Sequence, residues 1–298
     1  MLNAAVTSIL IPAFFSGLVA ILSTLAVERF GGTLGGVLSC LPTTIVVAAI
    51  GIYNDNTDLD NFRRSMAFVP VGILLNAGYL LLWRVAPARL GHGVRTHLLA
   101  ATVAVALGAW LVVASGIIAL HYFCEPSVGQ SLALGLIAFA AGTLLGFAAN
   151  RTPRPAPRGT HRVGVKVLIV RGTGAACVMV IALLLSHAGL PVASGIASVF
   201  PVIFTTIMVA TWLSQGAHVP TGAVGPMTLG TLSVSAYALL AYFLFPLMPL
   251  ALATIVCWIA AVSLVSVPSY YYLAYRRKRV EGCRKKPENT AIEAVVED

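Results

Sequence analysis

Nine apolar stretches, each close to the length that crosses a bilayer, leave this chain few possible folds. They cover residues 4–27, 34–53, 65–83, 98–120, 128–149, 167–186, 192–213, 221–245 and 249–275. At 1.5 Å per residue, a helix of ~20 apolar residues spans the ~30 Å hydrocarbon layer. Inside that layer every backbone group must find its partner within the protein, so only helices or closed barrels survive. Barrel strands alternate in polarity and run about 10 residues, and these stretches do neither. The expected fold is therefore all-α: a polytopic integral membrane bundle of about nine transmembrane helices. Only 10% of the 298 residues are charged, against roughly 25% in soluble domains. The first stretch lacks a basic leader and is too long for a signal-peptide core, so it reads as a retained helix.

A net charge of +9 in a soluble protein would suggest nucleic acid. Here the basic residues lie in loops and a tail, where they act as topology signals, and no nucleic-acid partner is expected. With the C-terminal tail in the cytoplasm, sixteen of the 19 Lys and Arg fall on the cytoplasmic side. They are Arg29, three in 84–95, five in 151–166 and seven in the tail. Arg63 and Arg64 alone face the other way, and Arg171 lies within a span. The expected orientation is N-terminus out and C-terminus cytoplasmic, in a membrane of unspecified identity. The outer loop 54–62, with Asp55, Asp58 and Asp60, reads as a solvated acidic cap. The Pro-rich basic loop 150–166 reads as an extended linker, and the charged tail as disordered.

The chain also echoes itself. Ser39-Cys40-Leu41-Pro42 is matched by Ser198-Val199-Phe200-Pro201. Thr43-Thr44-Ile45-Val46-Val47-Ala48 is matched by Thr205-Thr206-Ile207-Met208-Val209-Ala210, with three extra residues after Pro201. Tyr79 follows Pro42 by 37 residues, and Tyr237 follows Pro201 by 36. Proline inside an apolar helix frees a carbonyl and bends the helix. Two such breaks in matching places of two halves point to a transporter site. The expected units are 1–125 and 164–275, four spans each, with 126–163 as linking helix and loop and 276–298 as tail. An offset of five spans, an odd number, makes the repeat inverted.

No constellation for catalysis is visible, so no enzyme activity, cofactor or metal is expected. The six His lie at loops or span ends, no span interior holds Asp or Glu, and the Gly-rich runs lack a phosphate-loop lysine. The five Cys show no metal spacing, and those within spans read as small packing residues. Gly31, Gly32, Gly35, Gly36, Gly142 and Gly146 suit either close helix packing or backbone approach to a solute. The candidate substrate contacts are Ser39, Pro42, Thr43, Thr44, Ser198, Pro201, Thr205, Thr206 and Arg171, where Arg171 either snorkels to the interface or faces an anionic solute. Glu28, Arg29 and His187 are candidate gates, or plain charges marking helix ends.

Arg29, Gly31, Gly32, Gly35, Gly36, Leu41 and Pro42 resemble the basic-Gly-x-x-Gly…Leu-Pro run of the small GlpM-type bacterial inner-membrane proteins. The resemblance covers about a tenth of the chain. It implies a duplicated small membrane unit and carries no catalytic residues.

The expected function is that of a secondary transporter moving a small molecule or ion across the bilayer at broken spans two and seven; a homodimer is compatible with it. The alternatives are a membrane scaffold that uses its Gly faces to hold partner helices and, further off, a lipid-active membrane enzyme.

Overall fold

The computed structural model describes residues 2–30, 41–55, 58–89, 95–151, 164–215, 218–276 and 279. Among them the chain is helical, with no strand. The helices are α1 (Leu2–Phe30), α2 (Thr44–Asp55), α3 (Leu59–Arg89), α4 (Arg95–Cys124), α5 (Val128–Ala149), α6 (Val165–His187), α7 (Pro191–Ala197), α8 (Val202–Gln215), α9 (His218–Gly230), α10 (Leu232–Leu244) and α11 (Leu250–Ala261). A π turn, Val262–Ser266, continues α11 into a final helix at 267–276.

Among the described residues, seven segments are long and apolar enough to cross a membrane, and two shorter apolar helices lie in α1 and α2. Together they make nine, as the hydropathy pattern predicts, and the protein is a multi-pass membrane protein. Spans seven and eight are each two helices. Span seven breaks between α7 and α8, and span eight bends at Thr231, between α9 and α10.

Local chemistry explains the ends. Ser127 caps α5 by accepting from the Gln130 N–H at 3.2 Å, and the Gln130 side chain accepts the Ser127 N–H at 2.8 Å; the exchange satisfies two orphan donors. Gly189, at φ 71°, lets the chain reverse directly after α6, a conformation that disfavours any side chain. Pro191 then opens α7, where its missing N–H has no cost. The π turn stands just before Pro268, which cannot donate to the preceding turn. The extra residue keeps Ala253, Cys257, Ala261, Ser266, Ser269 and Leu273 on one buried stripe.

The longest helix, α3, is the hub. It packs on α4, α5, α7, α9 and α10. The helix pairs come in matched sets when spans one to four are exchanged with spans six to nine. α1 packs on α6, and α3 on α9 and α10. α1 meets α2 as α6 meets α7 and α8. α3 meets α4 as α10 meets α11, and α3 meets α7 as α10 meets α2. α2 meets α3 as α8 meets α9, and α2 meets α11 as α7 and α8 meet α4. α5 lies on both α3 and α9–α10. Among the described residues, α8 on α1, the counterpart of α2 on α6, is not one of the main pairs.

Candidate functional site

The two proline breaks share one local geometry. The Thr43 N–H donates to the Leu41 carbonyl at 2.7 Å, and the Val202 N–H donates to the Phe200 carbonyl at 2.8 Å. Each proline is thus the middle residue of a tight three-residue turn, which its fixed φ suits. A helix starts directly after each turn. The match runs in register from Pro42 to Pro201, so Thr205 and Thr206 lie about one turn deeper in α8 than Thr43 and Thr44 lie in α2. The two Thr pairs look alike in sequence but do not occupy equivalent places.

At the Pro201 break, protein groups meet the freed carbonyls. Ser198 donates to the Gly195 carbonyl at 2.7 Å, and Thr205 to the Pro201 carbonyl at 2.6 Å. Backbone N–H groups of Val199, Phe200 and Val202 serve Ile196, Ala197 and Phe200. Asn76, from the middle of α3, donates its amide to the Val199 carbonyl at 2.7 Å and accepts the Trp110 indole N–H at 2.9 Å. Tyr79 stands 2.8 Å from the Thr205 hydroxyl. That hydroxyl spends its proton on Pro201, so Tyr79 is the donor. An unmet carbonyl in hydrocarbon costs several kcal/mol, and here that cost is removed by Ser198 and Thr205 of span seven and by Asn76 of α3, which Trp110 of α4 holds in place. α3 comes close enough because small residues line the contact. A Cβ on Gly195 would sit 2.1 Å from the Ser65 carbonyl oxygen, and one on Gly72 2.4 Å from a Val199 methyl.

Around Pro42 the picture differs. Ser39 lies outside the described residues. Pro42 is buried, with Thr43 and Thr44 half-buried. The Thr43 hydroxyl reaches the Leu41 carbonyl only at 3.5 Å. Ser235 follows Pro201 by 34 residues, as Asn76 follows Pro42. On the expected repeat it corresponds, in α10, to Asn76 in α3. It is fully buried, and its hydroxyl has no hydrogen-bond partner. Tyr237 does not repeat Tyr79: it packs in the core shared by Cys257 and Ala253, not on a threonine after the break. The two described breaks are not one of the main helix pairs. They share α3 and α6 as neighbours, and Val199 packs against the cluster that contains Ile45.

Arg171 points into the bundle and is 5% exposed, so it does not snorkel. It donates to the Thr24 hydroxyl on α1 and, at 3.1 Å, to the Thr206 hydroxyl on α8. Both hydroxyls give their own protons to backbone carbonyls, Thr24 to Ala20 and Thr206 to Ile203, which leaves their lone pairs for the guanidinium. Arg171 thereby ties α1, α6 and α8 at one end of the molecule. Glu28 and Arg29 lie in the backbone of α1, and their side chains fall outside the described residues. His187, at the opposite end, pairs through Nδ1 with Asp55 Oδ1. Asp55 corrects the reading of a solvated cap: it is the last residue of α2, with its side chain 5% exposed.

Gly142 and Gly146 are spent inside the bundle, where added Cβ atoms would meet Leu232 at 3.1 Å and Leu229 at 2.9 Å. Gly31, Gly32, Gly35 and Gly36 fall outside the described residues. Cys257 is buried, as a packing residue should be, while Cys177 faces outward and Cys40 is not described. No group of His, Cys, Asp or Glu able to hold a metal occurs among the described residues.

Asn76, Trp110, Thr24 and Asp55 are the site residues that sequence reasoning passed over. An amide in mid-span is itself a signal, because a polar group in hydrocarbon must be bonded. A search for charges and imidazoles alone misses it. No family model, curated protein or solved structure matches the chain.

Proposed function

We propose that the protein is a secondary carrier that moves a small solute by alternating access between two inverted four-span units. One observation carries this reading. The main helix pairs match under exchange of spans one to four with six to nine, and the same proline turn recurs at both breaks. The resemblance of 29–42 to GlpM-type proteins is in keeping with duplication of a small membrane unit. Solute contact is assigned chiefly to the Pro42 side, through Ser39, Pro42, Thr43 and Thr44, with Ser235 on α10, a helix packed on α2. Ser198, Pro201 and Thr205 are committed to closing the second break, and Thr206 to Arg171. Asp55–His187 and Arg171–Thr24–Thr206 are the ties at the two ends. The pair α2 on α6 meets at the Asp55 end, where Asp55 and His187 join it. The basic loops put the Arg171 end at the cytoplasm.

The scaffold reading is weaker, since the described Gly faces of α5 and α7 are consumed by internal packing. Uptake of a solute panel by full-length protein in proteoliposomes tests the carrier. Arg171→Leu is expected to cut uptake at least tenfold with near-normal insertion. Correctly inserted wild-type protein that moves nothing across a broad panel would sink the proposal.

A further inference from the structure

Basic residues at a membrane protein's ends set topology, but two of those here are also brought together. Arg276, in the final helix, donates through Nη2 to the Arg151 carbonyl, just past the end of α5. The Arg151 side chain starts from that same residue and is exposed. A second guanidinium thus hangs within one side-chain length of the first. The Arg276 Nε is buried and has no partner, and an N–H on a charged group is costly to leave unmet. We propose that Arg151 and Arg276 bind the phosphate of one anionic phospholipid, which fastens the final helix to α5. The site needs only two helix ends and a bilayer, and is independent of the carrier reading.

The end of α5 is a fixed support for such a site. Asn150 donates to the Gly146 carbonyl at 2.7 Å and to the Gly225 carbonyl at 2.8 Å, which ties α5 to α9. Arg84, from α3, donates to the Ala149 carbonyl at 3.1 Å. One turn below the two arginines, the Tyr272 ring meets Phe147 edge-on at 5.0 Å. The final helix therefore touches α5 through a ring pair and a guanidinium.

The chemistry selects a phosphate, and the surroundings select a lipid. A guanidinium offers five N–H donors in a planar fork that matches phosphate oxygens. Among the described residues, the acidic side chains Asp55, Asp58, Asp60 and Glu125 all belong to the opposite end of the bundle, so the charge at this end calls for an anion. Below Arg151 on the same face of α5, Ile137, Ala140, Leu144 and Ala148 point outward at spacings of three and four. They form an apolar track for acyl chains. On the final helix Tyr271 and Tyr275 are 67% and 61% exposed. Such amphipathic rings mark the level where headgroups meet hydrocarbon. A phosphate on Arg151 and Arg276 lies at that level, with its chains along α5. The basic loops assign this end to the cytoplasm, whose leaflet carries the anionic lipids.

Native mass spectrometry of the full-length protein in detergent counts the lipids that stay bound. The titrants are phosphatidylglycerol and phosphatidylcholine with the same acyl chains; the choline cation of the second opposes the arginines. Wild type is expected to retain one phosphatidylglycerol at least about tenfold more tightly than phosphatidylcholine. Arg151→Gln is the clean variant, because Arg276 bonds the backbone carbonyl there and that bond survives the change. It should weaken phosphatidylglycerol binding about tenfold. Arg276→Gln should weaken it at least as much, and Arg276→Lys, which keeps the charge without the fork, should fall between. Lys166→Gln removes an exposed charge at the start of α6, at the same end, and should change binding by less than about twofold. Phosphatidylglycerol should also raise the melting temperature of wild type and not that of Arg151→Gln. Equal retention of the two lipids, or an Arg151→Gln variant that behaves like Lys166→Gln, overturns the inference. Displacement of the lipid by inorganic phosphate at equal concentration overturns it too, since the site would then take soluble anions.

Discussion

The two proline breaks begin alike and end differently. Both make the same three-residue turn and launch a helix directly afterwards. At Pro201, Asn76, Trp110, Tyr79, Ser198 and Thr205 close the break with hydrogen bonds between 2.6 and 2.9 Å. At Pro42 the Thr43 hydroxyl is 3.5 Å from the Leu41 carbonyl, and Ser235, as far after Pro201 as Asn76 is after Pro42, has a buried hydroxyl without a partner. A repeated backbone device thus serves two ends. One copy is plugged and becomes a fixed joint between α3, α4 and span seven. On α10, which packs on the helix after Pro42, Ser235 keeps a buried hydroxyl without a partner.

This contrast can be broken by measurement. Asn76→Leu should have the largest effect, because it orphans both the Val199 carbonyl and the Trp110 indole. At ~1–3 kcal/mol per buried unsatisfied group, the expected loss is about 3 kcal/mol of stability in a thermal or denaturant titration in lipid. Thr205→Val comes next, at about 1.5 kcal/mol, since the Tyr79 hydroxyl loses its acceptor and the Pro201 carbonyl its second donor. Any loss of uptake in that variant has to be read beside its stability. Ser235→Ala should cost the least, within about 0.5 kcal/mol, because its hydroxyl has no bond to lose. Uptake is nonetheless expected to fall severalfold. If Ser235→Ala destabilises as much as Asn76→Leu, the two breaks are plugged alike and the contrast fails. If it leaves both stability and uptake unchanged, Ser235 is mere packing and the solute lies elsewhere.

Much of the architecture was legible before any coordinates. Hydrocarbon demands internal backbone bonding over a set length, so the nine spans follow from length and polarity alone. The proline at 201 disclosed the break in span seven, because proline lacks the donor that a helix needs; before Pro42 the chain lies outside the described residues. Arg171 was identified as the charge within a span, and its neighbours Thr24 and Thr206 appeared only when α1, α6 and α8 were brought together. The Thr pairs and the Tyr pair were read in a register shifted by up to three residues. A helix rotates about 100° per residue, so a small slip in alignment sends a side chain to a different neighbour.

The division of span eight at Thr231 carries no proline to mark it; what the sequence determined by itself is therefore the apolar spans, their number and the break at Pro201. Those follow from the cost of burying an unbonded peptide group, a property local to each segment. Only the tertiary structure decided which groups answer each break. It decided that Asn76 of α3, held by the Trp110 indole of α4, reaches the Val199 carbonyl. It decided that Arg171 rests on two hydroxyls. It also took Asp55 from the loop expected to hold it in water and set it against His187. Those outcomes depend on which helix faces meet, and residues more than a hundred positions apart carry no local mark of the partner they will find.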